Sequence, residues 1–228
     1  MPEALAVNMV LFPSFTQLDL TGAYEVLARL PGARVSLVAA TAEPVRTEFG
    51  LTITPDVTFA AAPAPDIVCV PGGWAITDHL DDDEMLDFLR AQARGARYVT
   101  SVCTGALLLG AAGLLRGYRA TTHWQSLDML RLFGAEPVDS RVVVDRDRVT
   151  GGGVTAGIDF GLAMAAELFG ATVAQEIQLA IEYHPAPPFD SGSPHTAPES
   201  VRAAIERRAA PALATRRAKA EAAAKRLG

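Results

Sequence analysis

Cysteine is scarce. Only Cys69 and Cys103 occur in 228 residues, too few for a disulfide framework. The four histidines, His79, His123, His184 and His195, show neither the H-x3-5-H nor the HExxH spacing of zinc sites, so no metal is expected. Positive charge is also short: 20 Lys and Arg face 26 Asp and Glu, a net charge of −6. That balance argues against nucleic acid as the main partner, because phosphate binding needs a basic face. No apolar run reaches the roughly 18 residues of a membrane span, so no membrane partner is expected. Met1-Pro2-Glu3-Ala4 lacks the basic start and apolar stretch of a secretory signal. A cytoplasmic location is therefore expected. No internal repeat is evident.

Half of the residues are hydrophobic, enough for the core of one α/β domain. Apolar segments at 4–12, 35–40, 66–70 and 98–102 read as buried strands. One or two short strands are expected within 43–59, another at 119–122, and a strand or hairpin at 141–150. Helices are expected at 19–30, 81–94, 104–115, 124–133, 155–169 and 172–183. Continuous apolar strands alternating with helices predict a mostly parallel sheet with helices on both faces. Such sheets bind ligands beyond the carboxyl ends of their strands.

This α/β domain is expected to span residues 1–184. Residues 185–228 differ. Five prolines within 185–198 predict a crossing segment, and the Ala-, Arg- and Lys-rich stretch 199–227 predicts a helix interrupted near Pro211. Residues 198–228 hold eight basic and three acidic residues, a net of +5, leaving −6 − 5 = −11 for the remainder. Two readings stand: a solvated helix, or a basic tail docked on an acidic body or a second subunit.

The most informative segment is Tyr98-Val-Thr-Ser-Val-Cys-Thr-Gly-Ala106. A β-branched strand ends at Cys103, and the small residues Thr104, Gly105 and Ala106 open an apolar helix. This is the strand–turn–helix pattern of a nucleophile elbow. A helix N-terminus beside the sulfur is expected to lower the thiol pKa. Cys69, inside Ile67-Val-Cys-Val70, has no such turn and reads as inert core. On spacing alone, Cys103 is as well read as a buried structural thiol as a nucleophile.

Three other features admit two readings each. Asp19 opens a helix, where an N-cap is the ordinary role of Asp. Gly72 and Gly73 form a plain turn, or let a backbone approach a substrate closely. Gly151-Gly-Gly153 is a flexible connection, or borders the pocket and yields when Cys103 is modified.

Several motifs together resemble the ThiJ/PfpI superfamily, also called class I glutamine amidotransferase-like. They are Pro71-Gly72-Gly73 after a strand, Ser101-Val-Cys-Thr-Gly105 at the elbow and Leu18-Asp-Leu-Thr-Gly22 near the start. Ala120-Thr-Thr-His-Trp124, Thr150-Gly-Gly-Gly153 and Pro185-Ala-Pro-Pro-Phe189 are similar to its isonitrile-hydrating branch. The resemblance implies a flavodoxin-like sheet and a cofactor-independent cysteine enzyme. Its expected substrate is a small organic isonitrile, and its expected assembly a homodimer. It implies Cys103 as nucleophile, Asp19 as general acid, and Gly73 and Thr104 N–H groups in an oxyanion pocket beside Gly72. The Thr104 side chain is implied as a partner of the sulfur. Protease-like members follow their cysteine with His; Thr104 stands here, which disfavours a Cys–His protease. His123 is expected to pack against Trp124, with catalytic participation left open. Two alternatives remain: a thiol enzyme acting on α-oxoaldehydes, and a ligand-sensing domain like those of AraC-type regulators. The roughly thirty residues after the proline segment are too few for the paired helix-turn-helix units of such regulators.

Overall fold

The computed structural model describes residues 4–228; Met1-Pro2-Glu3, used above to argue against a secretory signal, lies outside the described residues. The strands are β1 (Leu5–Val10), β2 (Ala33–Ala39), β3 (Val45–Arg46), β4 (Thr52–Ile53), β5 (Val57–Thr58), β6 (Ile67–Val70), β7 (Tyr98–Val102), β8 (Arg119–Ala120), β9 (Glu136–Pro137), β10 (Val142–Asp145) and β11 (Arg148–Gly151). The helices are α1 (Gln17–Leu27), α2 (Asp83–Gly95), α3 (Gly105–Ala111), α4 (Ala156–Phe169), α5 (Ala171–Ala180) and α6 (Glu199–Lys225).

Seven strands form the main sheet in the order β10-β11-β7-β6-β1-β2-β5. All pairs are parallel except the β10–β11 hairpin at one edge. The expected mostly parallel α/β sheet is therefore present. β6 and β7 are buried at every position, the pattern of strands covered on both faces. The chain leaves β1 toward β2 in one direction and β6 toward β7 in the other. Right-handed crossovers then place α1 and α2 on opposite faces of the sheet. α4 joins α1, packed so closely that Gly157 lies against Ala23. α3 lies with α2. The sheet reverses direction between β1 and β6, and the loops after β1, β6 and β7 meet there.

Several local expectations are corrected. α1 begins at Gln17 after an N-cap at Thr16, so Asp19 lies in the first turn and is not a cap. Residues 124–133 form a 3₁₀ segment closed by Gly134 in the left-handed region. α3 ends at Ala111, and Gly113, with φ +79°, turns the chain away. α6 runs unbroken through Pro211. Proline removes one backbone bond there, but buried side chains anchor both halves: Ala209 before the proline and Arg216, Ala220 and Ala223 after it.

The tail is docked on its own chain. Arg217 pairs with Asp128 at 2.7 Å and Lys219 with Asp81 at 3.2 Å; Arg226 reaches Asp83. Among the described residues, no helix is long and apolar enough to cross a membrane.

Candidate active site

Cys103 sits at the end of β7, buried, with φ +57°. A non-glycine residue in this region is strained by about 1 kcal/mol or more and persists only where its surroundings hold it. They do so here. The Cys103 N–H donates to the carbonyls of Gly151 and Gly152 at 3.0 and 2.9 Å. Its own carbonyl accepts the Thr122 hydroxyl at 2.7 Å. Gly105 is required next to it, because a Cβ there would meet the Val70 carbonyl oxygen at 2.2 Å.

Asp19 reaches the same point from α1. Its Oδ2 accepts the Gly72 N–H at 3.0 Å, while Oδ1 has no hydrogen-bond partner among the described residues. Gly72 lies between the acid and the elbow: a Cβ on it would stand 2.4 Å from the Thr104 nitrogen and 2.9 Å from Asp19 Oδ2. Three chain segments thus converge on Gly72.

Burial pushes the Asp19 carboxyl up to about 7, opposed by hydrogen bonding from Cys103 and Gly72. The Cys103 thiol is also pushed up, first by burial and then by the Asp19 charge. The Thr104 and Val154 N–H groups work against this. The expectation of a lowered thiol pKa is therefore corrected. α3 has only seven residues, and its dipole is too small to outweigh desolvation. Near neutral pH the sulfur keeps its proton while the adjacent carboxyl is close to half ionised. Transfer of the thiol proton to that carboxylate is therefore uphill in the resting site and has to be drawn by bond formation to a substrate.

The expected oxyanion pocket is also rearranged. The Gly73 N–H donates to Thr104 Oγ1 at 2.9 Å, and that hydroxyl donates to the Gly73 carbonyl at 3.0 Å. Both groups are engaged with each other rather than directed at the sulfur. The donors facing the sulfur are the Thr104 and Val154 N–H groups. Val154 follows Gly153, so the glycine segment does border the site. Sequence reasoning missed Val154 because a backbone donor carries no residue-type signal.

A cavity of about 240 Å3 opens over Cys103, walled by Thr104, Gly73, Trp74, His123 and Arg216. His123 packs beside Trp124 with ring centroids 6.0 Å apart, and its Nδ1 accepts the Gln125 N–H at 3.4 Å. Burial holds its pKa down, at about 4, so the imidazole is neutral near pH 7. Arg216, from α6, was not anticipated. Its only sequence signal was membership of the basic tail. Cys69 lies within β6 in the middle of the sheet, with its thiol pushed up to about 12 by burial, as expected for an inert core residue.

The DJ-1/PfpI family model matches residues 6–167. The chain belongs to the DJ-1/PfpI family. Within it, the chain is 54% identical over 224 residues to isonitrile hydratase of Pseudomonas putida, covering 98% of each protein. A crystal structure of a ThiJ/PfpI family protein from Pseudomonas syringae superposes with a TM-score of 0.92 at 44% identity. It covers 97% of this chain and 91% of that one. The transcriptional regulator GbdR of Pseudomonas aeruginosa is 35% identical over 184 residues, 77% of this chain but 49% of the regulator. Family membership thus includes enzymes and regulators, and the site chemistry must separate them.

Proposed function

We propose that this protein hydrates organic isonitriles, R–N≡C, to N-substituted formamides, R–NH–CHO. The observation that carries the reading is the buried pair at the elbow, Cys103 held at φ +57° against a carboxyl whose pKa is near 7. The near full-length similarity to the P. putida isonitrile hydratase points the same way.

The isonitrile carbon must gain both a bond to sulfur and a proton. The Asp19 carboxylate takes the S–H proton as the sulfur attacks the terminal carbon, then delivers it to that same carbon. The product is the thioimidate R–N=CH–S–Cys103. Water next adds to this carbon. Asp19 accepts one of its protons and passes it to nitrogen. The C–S bond breaks as the C=O bond forms, and the remaining water proton returns to the sulfur. Covalent catalysis divides one hard addition into two easier ones. The Thr104 and Val154 N–H groups stabilise negative charge on the sulfur as it leaves. The sequence Cys103-Thr104 supplies no adjacent imidazole, so the proton work falls to Asp19. No cofactor enters these steps.

The same reading includes a homodimer in the cytoplasm. Exposed Phe49, Leu179 and Phe189 are apolar surface that a second copy would cover, and two free thiols suit a reducing compartment. Light scattering on the purified protein gives the mass; a monomer at micromolar concentration would contradict the dimer.

The test of the chemistry is to incubate the protein with an alkyl or aryl isonitrile and follow formamide by mass spectrometry, with methylglyoxal in parallel. Turnover of the isonitrile is expected. Cys103→Ala should abolish it, and Asp19→Asn should lower kcat by about 100-fold or more. Undiminished turnover in Cys103→Ala would refute the mechanism. Turnover of methylglyoxal alone would favour an α-oxoaldehyde enzyme.

A further inference from the structure

Arg216 is only 3% exposed, although α6 lies on the outside of the domain. The other basic residues of this helix that bond to the body, Arg217, Lys219 and Arg226, do so at the surface through carboxylates. Arg216 differs. Its Nε donates to Thr77 Oγ1 at 3.1 Å, its Nη1 to Ser126 Oγ at 3.1 Å, and its Nη2 to the carbonyls of Trp74 and Gly73 at 3.3 and 3.4 Å. The Trp74 ring lies 4.9 Å from the guanidinium carbon. All these partners are neutral. Hydrogen bonds satisfy the fork, but none of them cancels the charge, and a buried charge without a counter-charge is costly. Arginine stays protonated, so the molecule cannot escape this cost by titration.

The same side chain walls the cavity above Cys103. We propose that Arg216 is a positioning residue of the active site: its fixed positive charge, delivered by α6, is the counter-charge for the Cys103 thiolate formed in each turnover. The site has a buried cation awaiting an anion and a nucleophile that must become one. Low local polarity makes that attraction stronger than it would be in water. The guanidinium also grips the Gly73 and Trp74 carbonyls, which fixes the turn against Thr104. The other titratable groups facing this space are Asp19 from α1, Glu48 from the loop between β3 and β4, and His123. His123 is neutral near pH 7, and Glu48 accepts the Thr16 hydroxyl at 2.8 Å. Neither the imidazole nor the surface pairs of α6 can replace Arg216. Burial lowers the Arg216 pKa, while Cys103 and Glu48 oppose this.

The inference rests on Cys103 as nucleophile, as read above, and its deciding readout uses no isonitrile. The rate of Cys103 alkylation by iodoacetamide is followed against pH by mass spectrometry on the full chain. Arg216→Met should move the midpoint up by about one pH unit, a tenfold loss of thiolate. Its isonitrile kcat should fall about tenfold with KM changed less than threefold. Arg216→Lys keeps the charge and should retain a midpoint within half a unit of the wild type. Arg217→Met, on the same helix, should leave the profile unchanged. If Arg216→Met does not fold, Arg216→Gln, uncharged but still a donor, takes its place. A folded uncharged variant with an unshifted midpoint overturns the proposal, as does a Lys variant shifted by a full unit. A shifted midpoint in a protein that does not turn over isonitriles would leave Arg216 in this role and remove the isonitrile reading.

Discussion

Asp19 is where stability and chemistry oppose each other most directly. Its carboxyl has a folded pKa of about 7 against an ordinary 3.8. Between these values the native state holds the proton more tightly than the unfolded chain does. The contribution of Asp19 to stability is therefore full below about pH 4 and is lost as pH rises through 7. The shift corresponds to about 4 kcal/mol at most, and relaxation of the site will make the real figure smaller. Asn in its place can still accept the Gly72 N–H and never ionises. Asp19→Asn is thus expected to be more stable than the wild type at pH 8, by about 1–3 kcal/mol, with little difference at pH 4. Its turnover is lost nonetheless. Thermal unfolding of both proteins at the two pH values measures this; a destabilised Asp19→Asn at pH 8 would mean that the carboxylate has a partner that holds it ionised. His123 has the opposite slope: its folded pKa of about 4 lies below the ordinary value, so its contribution is present above about 6.5 and lost as pH falls toward 4. With Asp19 removed, stability should rise with pH over that interval. Gly72 makes a complementary case. Gly72→Ala would place a Cβ 2.4 Å from the Thr104 nitrogen and 2.9 Å from Asp19 Oδ2. It should cost activity at least tenfold even if the variant folds, because the Asp19–Cys103 geometry must open to admit a methyl group.

The elements divide into those whose residues announce them and those whose neighbours decide. β6 is a short unbroken apolar run and β7 a short buried one that admits only the small polar residues Thr100 and Ser101, and a fully buried parallel strand allows little else. The elbow was equally legible, because a strand cannot pass into α3 in so few residues without small side chains around Cys103. The boundary of α1 was less so. Asp19 looks like a cap, and only the Gly72 N–H supplied by another loop shows that its carboxyl faces the sheet end. Pro211 misled in the same way, since its effect on α6 depends on what anchors the helix on either side. The turn from β11 into α4 is the element expected to respond to chemistry. The Gly151 and Gly152 carbonyls hold the Cys103 N–H, and the Val154 N–H faces the sulfur. When the sulfur is alkylated or carries a thioimidate, the added group crowds the Val154 N–H and weakens the sulfur as its acceptor. Hydrogen exchange at residues 151–158 should therefore accelerate on alkylation of Cys103, with α2 unchanged as the control. Identical exchange before and after modification would show the turn to be a rigid wall.

At the scale of the whole molecule, the sequence assigned the catalytic side to one end of the sheet but could not say what closes it. Nothing in a run of Ala, Arg and Lys distinguishes Arg216 from Arg217; the helix register against the cavity does, and register is a property of packing. Closure by α6 also separates two kinds of basic residue that share one composition. The pairs Arg217–Asp128, Lys219–Asp81 and Arg226–Asp83 are at least partly exposed, and such pairs contribute roughly 0–1 kcal/mol each. Ala209, Arg216, Ala220 and Ala223 are buried along the same helix, and burial is the stronger anchor. Replacing Arg217, Lys219 and Arg226 together by Gln should lower Tm by only a few degrees, about 2–4 °C per kcal/mol in a chain of this size. It should leave isonitrile kcat within about twofold. The loss of Tm should also shrink at 1 M salt, where the surface pairs of the wild type are already screened. An activity loss as large as that of Arg216→Met would mean that surface charge, rather than the buried face, sets the position of α6. Arg216 would then reach the cavity only through those pairs, and the tail would act as a salt-sensitive closure of the site instead of a fixed wall.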